Sequence, residues 1–144
     1  MKIRYNLVLV LNQERTEVLM CYRSKEPYKG LYNLLGGKIE TNETDLDSAY
    51  RELFEESGIT DKDIILESFM DFVWHPINME MKVYKGVLNK HVELVDEVHK
   101  LHWIPLTENF FDTSKFAGEG NIGHMIMLLH DWDKNRVGEK YETI

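Results

Sequence analysis

The stretch GGKIETNETDLDSAYRELFEESGI, residues 36–59, joins a glycine pair to a segment with the periodicity of a helix. Thr44 is followed three residues later by Asp47, a pairing typical of a helix N-terminus, and Gly58 is a natural helix end. The sequence therefore predicts a helix between Thr44 and Gly58. Its core-facing stripe is predicted from residues that recur at steps of three and four: Leu46, Ala49, Tyr50, Leu53 and Phe54.

Glu52, Glu55 and Glu56 share one edge of this predicted helix, because residues three and four positions apart are neighbours on a helix surface. The edge lies next to the core-facing stripe, so the carboxylates are expected at the rim of the core. Like charges at this spacing repel each other. The cluster is therefore either a solvated acidic face or a site for a cation, and carboxylate oxygens suit Mg²⁺ or Mn²⁺.

Apolar runs on both sides of the helix predict strands at residues 3–11, 17–24, 64–74, 79–88 and 101–106. A short apolar piece at residues 31–35 interrupts the loop before the helix, and a second amphipathic helix is predicted at residues 120–132. This order predicts one α/β domain with a mixed sheet over residues 1–144. Residues 137–144 are predicted to form a flexible tail.

The composition is that of a globular protein with an acidic surface. The 144 residues include 17 basic and 25 acidic side chains, which give a net charge of −8. This balance disfavours sequence-independent contact with nucleic acid, which needs clustered lysines and arginines. Cys21 is the only cysteine, and no apolar run reaches transmembrane length. We therefore expect a cytoplasmic protein that binds a small molecule and neither a nucleic acid polymer nor a membrane.

The acidic helix is part of a longer pattern that starts at Gly37 and ends at Ile59. Written with U for a bulky aliphatic residue, the pattern is G-x5-E-x7-R-E-U-x-E-E-x-G-U, and all nine specified positions are filled. At average residue usage, a chance match is on the order of one in a billion per register. The pattern is the Nudix box, and the chain resembles a Nudix hydrolase. The resemblance implies an α/β Nudix fold, a mixed β-sheet sandwiched between α-helices.

The resemblance also implies a reaction and a metal site. Nudix hydrolases cleave a nucleoside diphosphate linked to another group, by attack of water at phosphorus, with Mg²⁺ or Mn²⁺ as cofactor. Glu52, Glu55 and Glu56 match the metal-binding helix of the family, with Glu56 as the central ligand. The carbonyl group of Gly36, just before the box, is expected to complete the set of ligands.

The remaining box residues are expected to support those ligands. Arg51 in this pattern orients a glutamate through a charge-assisted hydrogen bond, and Glu43 holds the loop to the helix. Gly37 and Gly58 are the structural glycines of the box. A homodimer, which occurs in the family, is left open as the oligomeric state.

The general base is left open between two glutamates. Glu52 has this role in some family members, whereas others use a glutamate from a loop outside the box. Glu97 lies six residues before Trp103, in the loop ahead of a predicted strand, which is where such a metal-binding or catalytic glutamate is found. The competing interpretation of Glu97 is a surface acid in an acidic protein.

The segment KGLYNLLGGKIE, residues 29–40, resembles a run found in MutT-like enzymes, which hydrolyse purine nucleoside triphosphates, oxidised ones included. Tyr32 and Leu35 depart from the usual run, in which tryptophan and often proline stand. Candidate substrate-binding residues are Arg23, Asn33, Lys38, Glu119 and Asn121. The amide of Asn33 offers the donor and the acceptor that a purine edge needs, although it also suits a purely structural role in the loop. Four aromatic residues are candidates either for base stacking or for the core: Trp74, Trp103, Phe110 and Phe111.

The sequence thus predicts a Mg²⁺-dependent pyrophosphohydrolase that converts a nucleoside triphosphate, such as an oxidised purine nucleotide, to monophosphate and pyrophosphate. Hydrolysis of ADP-ribose, a nucleotide sugar or a dinucleoside polyphosphate is the main alternative. A nucleotide-binding regulator without catalytic activity is disfavoured, because such regulators tend to lose box glutamates and this chain keeps all of them.

Overall fold

The computed structural model describes residues 2–136 of the chain. The strands are β1 (Ile3–Leu11), β2 (Glu17–Tyr22), β3 (Tyr32–Asn33), β4 (Leu35–Lys38), β5 (Glu67–Trp74), β6 (Met79–Val87) and β7 (Lys100–Pro105). The helices are α1 (Asp45–Ser57) and α2 (Asn121–Arg136), and a single 3₁₀ turn at His75–Ile77 joins β5 to β6. The tail predicted at residues 137–144 lies outside the described residues.

The seven strands form one mixed sheet with the order β3-β2-β1-β6-β5, to which β4 adds beside β1 and β7 beside β2. The pair β1 and β6 is parallel, and the other pairs are antiparallel. In the register between β1 and β4, Asn6 lies opposite Gly37 and Leu7 opposite Gly36. The glycine pair of the sequence motif is therefore held against the middle of β1.

Each face of the sheet packs against one helix, because alternate side chains of a strand point to opposite faces. On one face, Val8 and Val10 of β1 belong to the cluster that contains Ala49 and Leu53 of α1. On the other face, Leu9 and Leu11 join the cluster that contains three buried residues of α2, which are Ile122, Met125 and Leu129. The predicted α/β fold, with a mixed sheet between helices, is confirmed.

The two ends of α1 follow the sequence prediction. The Thr44 hydroxyl accepts a hydrogen bond from the Asp47 amide at 3.1 Å. Gly58 has a φ of 80°, a left-handed conformation that suits glycine, and its amide bonds the Phe54 carbonyl at 2.9 Å. The helix therefore begins and ends where the local sequence places it.

The predicted core stripe of α1 is wrong at two positions. Ala49 and Leu53 are fully buried, but Leu46 is 40% and Phe54 is 55% exposed. The physical reason is the rotation of the helix, which is turned toward its glutamate edge so that Glu52 packs against Gly37. Tyr50 lies at the border, where its hydroxyl accepts a bond from the Leu66 amide at 2.9 Å.

Several predicted boundaries also shift. The second strand ends at Tyr22, the strand predicted from residue 64 begins at Glu67, and the last helix continues to Arg136. Ile64 makes only an isolated bridge with Leu88, because the chain must first leave α1 before it joins the edge of the sheet. No helix within residues 2–136 is long and apolar enough to cross a membrane.

Candidate active site

The glycine pair lets β4 fit between β1 and α1. Gly36 has a φ of 151°, and a Cβ there would lie 2.1 Å from the backbone oxygen of Asn6. A Cβ on Gly37 would lie 2.4 Å from Cδ of Glu52. Both distances are far below van der Waals contact, so any larger residue would displace either the strand or the carboxylate. The Glu52 carboxylate therefore lies directly against the backbone of β4.

Arg51 connects the glutamates of the box to one another. Its Nε and Nη2 donate to the two carboxylate oxygens of Glu43 at 2.9 and 2.7 Å, a bidentate pair. Its Nη1 donates to Glu52 at 3.1 Å and to Glu55 at 3.2 Å, and Nη2 also donates to the Lys38 carbonyl at 3.3 Å. The hydrogen bonds from Arg51 hold the pKa of Glu43 at about 2. These contacts fasten the loop after β4 to α1.

Glu52 and Glu56 form a half-buried pair of carboxylates. Burial, together with the neighbouring charge of Glu52, raises the pKa of Glu56 to about 8, against the opposing effect of the Gly36 amide and Arg23. The Gly36 amide donates to Oε2 of Glu56 at 3.4 Å. Burial also raises the pKa of Glu52, although Arg51 opposes this. Two carboxyl groups that resist ionising together create a site where a cation is favourable.

This donor set fits a divalent cation. Hard carboxylate oxygens that lie beside backbone groups are the ligands that Mg²⁺ and Mn²⁺ prefer. Within residues 2–136, however, no three acidic, imidazole or thiol side chains converge into a ready-made metal site. One reason is that Glu55 does not join Glu52 and Glu56, because its side chain is 54% exposed and bonded to Arg51. Glu52 and Glu56 are thus the two residues placed best to hold an ion.

Glu97 belongs to the irregular segment between β6 and β7, where its side chain is exposed. The same segment contacts the end of α1, since the Val95 amide donates to the Ser57 carbonyl at 3.0 Å. The role of Glu97 as base or ligand stays a prediction, and so do the roles of the box residues.

A second feature of the site is a pocket of about 250 Å³ on the α2 side of the sheet. Three of the predicted substrate-binding residues line it: Asn33, Glu119 and Asn121. The rest of the lining is mostly apolar and includes Leu7, Phe72, Trp74, Met79 and Met81. The fold therefore brings together side chains from β1, β3, β5, β6 and α2 that are distant in sequence.

The polar side chains of the pocket differ in how many of their hydrogen-bonding atoms already have a protein partner. Oδ1 of Asn33 accepts from the Leu34 amide at 2.8 Å, whereas its Nδ2 has no protein partner among the described residues. The carboxylate of Glu119 accepts from the Tyr28 hydroxyl, at 2.9 and 2.8 Å for its two oxygens. Burial and Glu119 raise the pKa of Tyr28 to about 12, so Tyr28 stays a donor.

The other predicted substrate residues lie outside the pocket lining. Nε of Arg23 donates to the Pro27 carbonyl at 2.6 Å, and the charge of Arg23 lowers the pKa of Glu56. Arg23 therefore has a link to both parts of the site, because Pro27 lines the pocket and the charge of Arg23 acts on Glu56. Lys38, at the end of β4, has an exposed side chain. Among the other aromatic candidates, Trp103 packs against the α1-side cluster and Phe110 is buried in the α2-side cluster, whereas Phe111 is 43% exposed.

Two residues of the site, Asn6 and Tyr28, were not predicted from the sequence. Asn6 is 1% exposed, yet its amide binds both β4 and α1. A signal existed, because Asn6 is the polar residue that precedes the apolar run of β1. Tyr28 gave no such signal, because its partner Glu119 lies 91 positions away in the sequence.

A family model described as the NUDIX domain matches residues 2–124. The chain belongs to the NUDIX family. This Nudix hydrolase is 31% identical over 117 residues to the oxidized purine nucleoside triphosphate hydrolase of Mus musculus, an alignment that covers 76% of this chain and 74% of the mouse protein. The MutT-like character predicted from the sequence is confirmed by this relative.

Solved structures of the family share the fold. A MutT structure, from work on the Aliivibrio salmonicida and Vibrio cholerae proteins, has a TM-score of 0.68 at 17% identity and covers 91% of this Nudix hydrolase and 99% of that chain. A bifunctional NMN adenylyltransferase/ADP ribose pyrophosphatase of Francisella tularensis, in complex with AMP and a Mn ion, has a TM-score of 0.70 at 23% identity. That match covers 91% of this chain and 42% of the Francisella chain.

Proposed function

We propose that this Nudix hydrolase cleaves a purine nucleoside triphosphate, an oxidised one included, to the monophosphate and pyrophosphate. The observation behind the proposal is that the carboxylate pair and the pocket both adjoin the pairing of β1 with β4. Leu7, which lines the pocket, pairs with Gly36, and the Gly36 amide donates to Glu56. With the base in the pocket, the phosphates are proposed to extend past Gly36 to Glu52 and Glu56.

The carboxylate pair is proposed to hold Mg²⁺ or Mn²⁺, with Glu55 and the Gly36 carbonyl as further ligands. A bound divalent ion supplies charge neutralisation at the phosphates and lowers the pKa of an attacking water. Arg51 orients Glu52 and Glu55 and does not need to touch the substrate. Either Glu52 or Glu97 is proposed to act as the general base that accepts the proton of the attacking water.

The pocket is proposed to bind the base. Its apolar walls include Phe72 and Trp74, whose rings suit stacking, and the free Nδ2 of Asn33 is a donor for an acceptor on the base. Asn121, which also lines the pocket, offers a second amide. The name of the mouse relative, an oxidized purine nucleoside triphosphate hydrolase, supports a purine.

A second candidate is hydrolysis of another nucleoside diphosphate derivative, such as ADP-ribose. It is favoured by the lining of the pocket, which is mostly apolar and therefore accepts more than one base. The name of the Francisella relative, an ADP ribose pyrophosphatase in part, agrees with this candidate.

Three further parts of the proposal rest on the sequence. They are one domain over residues 1–144, a cytoplasmic location and a small nucleotide as the partner. A reducing compartment is proposed because Cys21 is the only cysteine of the chain and allows no intrachain disulfide. Its thiol lies in the α1-side cluster, where burial raises its pKa to about 11.

The test is a product-resolved hydrolysis panel with Mg²⁺ and, separately, Mn²⁺. It contains ordinary and oxidised purine triphosphates, ADP-ribose, nucleotide sugars and dinucleoside polyphosphates. We expect purine triphosphates to yield monophosphate and pyrophosphate at the highest kcat/KM. Activity confined to diphosphate-linked compounds would replace the first candidate by the second.

The same panel includes Glu56→Gln, which replaces the half-buried carboxyl group by an amide that cannot ionise and nearly preserves its shape. We expect kcat/KM to fall roughly hundredfold or more, since even residues that only support a metal ligand cost 10- to 100-fold. Glu40→Gln, the same change at an exposed position, is the matched control. Turnover of Glu56→Gln at the parent rate would refute the proposed metal site.

A further inference from the structure

The glycine pair of β4 is fastened to α1 by a buried polar connection. Nδ2 of Asn6 donates to the Ser48 hydroxyl at 2.8 Å, and the Gly37 amide donates to Oδ1 of Asn6 at 3.2 Å. Asn6 is 1% and Ser48 is 0% exposed. We call Asn6, Ser48 and Gly37 the Asn6 bridge. It joins three elements, β1, β4 and α1, through a single side-chain amide.

Packing alone does not account for an amide at this position. Every residue of β1 from Val8 to Leu11 is a buried aliphatic residue, and an amide among them costs free energy unless its polar atoms are bonded. Both polar atoms of the Asn6 amide are bonded, and both bonds go to the elements that form the carboxylate site. The bridge therefore adds a directional constraint between β4 and α1 that apolar contacts do not provide.

The constraint reaches the carboxylates through the backbone of β4. The Gly37 backbone lies against the Glu52 carboxylate, and the Gly36 amide donates to Glu56 at 3.4 Å. Ser48 lies one helical turn before Glu52 on α1, so the bridge ties the strand to the helix beside the site. A shift of β4 relative to α1 would move both contacts at once.

We propose that Asn6 is a positioning residue for the metal site, and that the Asn6 bridge sets the spacing of β4 and α1 at which Glu52 and Glu56 hold one divalent ion. Asn6 itself touches neither the ion nor the substrate. This inference rests on the proposed function, because it needs a metal between these carboxylates. It adds a residue outside the Nudix box to the machinery of the site.

The test measures binding of Mn²⁺ alone, without substrate, by isothermal titration calorimetry. The variants are Asn6→Ala, which removes both bonds of the amide, and Ser48→Ala, which removes the bond between Asn6 and Ser48 together with the Ser48 contact to Glu43 and leaves the Asn6 bond to Gly37. Ser57→Ala is the matched control, because Ser57 is also a fully buried serine of α1. The Ser57 hydroxyl donates to the Leu53 carbonyl at 2.6 Å and accepts from the Ile59 amide at 3.2 Å, away from β4.

We expect Asn6→Ala and Ser48→Ala to weaken Mn²⁺ binding roughly tenfold, with Asn6→Ala the weaker binder, as for other residues that orient metal ligands. Ser57→Ala is expected to lower Tm and to keep the parent affinity. In hydrolysis assays, the two bridge variants should need more Mn²⁺ and regain most of kcat when Mn²⁺ is saturating. Ser48→Ala keeps the test decisive if Asn6→Ala does not fold.

Two results would overturn the inference. One is parent Mn²⁺ affinity in both bridge variants, with only Tm reduced. The other is an equal loss of affinity in Ser57→Ala, which would indicate general destabilisation. Failure of the proposed function gives a different pattern, in which the parent does not bind Mn²⁺ or Glu56→Gln binds it as the parent does.

Discussion

At the scale of single residues, Arg51 and Glu43 form the ion pair that holds the loop before α1. Arg51 lowers the pKa of Glu43 from its ordinary value of 4.5 to about 2. A carboxyl group with a lower pKa in the folded state stabilises the fold above its unfolded pKa, and this contribution is lost as pH falls. The loss therefore occurs as pH decreases from about 4.5 to about 2.

We predict that Glu43→Gln lowers the urea midpoint at pH 7 and that the difference from the parent shrinks toward pH 2. The reason is that the parent itself loses the charged Glu43 in this range. Urea denaturation followed by circular dichroism at several pH values measures the effect. Glu93→Gln, at an exposed position, is the control and should match the parent throughout. A difference that is constant with pH would contradict the prediction.

Tyr28 and Glu119 make the second residue-scale contact with a functional consequence. Tyr28→Phe removes the hydroxyl that holds both oxygens of the Glu119 carboxylate and leaves the ring in the pocket wall. We expect KM for the substrate to rise by up to roughly 10- to 100-fold, since a hydrogen bond to a charged group is worth roughly 1.5–3 kcal/mol and 1.4 kcal/mol is a factor of ten. The value of kcat should stay close to the parent, because Tyr28 has no contact with the carboxylate pair.

Steady-state kinetics on the best substrate of the panel measures this split between KM and kcat. Tyr22→Phe is the matched control, because the Tyr22 ring is 42% exposed and lies outside the pocket lining. An unchanged KM in Tyr28→Phe would show that the contact with Glu119 does not influence binding.

At the scale of elements, the two glycines of β4 are required for different reasons. An added Cβ at Gly36 meets the backbone of Asn6 at 2.1 Å, and neither strand can move away without breaking the sheet. An added Cβ at Gly37 meets the end of the Glu52 side chain at 2.4 Å, which can rotate away. Gly36 is therefore required for the fold, and Gly37 is required for the position of the Glu52 carboxylate.

We predict that one alanine variant mainly loses stability and that the other mainly loses metal affinity and activity. Gly36→Ala should destabilise the protein by roughly 1–3 kcal/mol or more, as expected for strain and overpacking. Gly37→Ala should cost little stability but lower Mn²⁺ affinity and kcat/KM by at least tenfold, because Glu52 is displaced. Thermal denaturation and Mn²⁺ titration of both variants measure the two effects. Equal stability losses with equal affinities would contradict this division.

At the scale of the whole molecule, the sheet separates two cores, and α1 covers one of them with only part of its apolar surface. Leu53 is fully buried in the α1-side cluster, whereas Phe54, the next residue, is 55% exposed. We predict that Leu53→Ala lowers the free energy of unfolding by about 2–5 kcal/mol, the usual range for a buried leucine. Phe54→Ala should change it by roughly 0.5 kcal/mol or less.

Urea denaturation of both variants and of the parent measures the two changes in the free energy of unfolding. A large loss in Phe54→Ala would mean that Phe54 is covered in solution, for example by a second copy of the chain. A small loss in Leu53→Ala would contradict the packing of α1 against β1 and β4.

Local sequence predicted the bounds of α1 well, because the signals act over three to eight residues. The Thr44 cap, the Gly58 end and the Arg51 pair with Glu43 all depend on chain neighbours. The same local signals failed for Leu46 and Phe54. Their burial depends on how the helix is rotated against β4, and helical periodicity alone does not contain that rotation.

The sequence by itself thus determined the family and the α/β class, and it supplied the glutamates of the proposed metal site, because the box fixes residue types at short spacing. Only the tertiary structure decided which candidates meet. It joined Asn33 to Glu119 and Asn121 in one pocket and tied Tyr28 to Glu119. It also aimed the Asn6 amide at β4 and α1. Strand register and packing set these contacts, and both arise from the whole chain rather than from neighbouring residues.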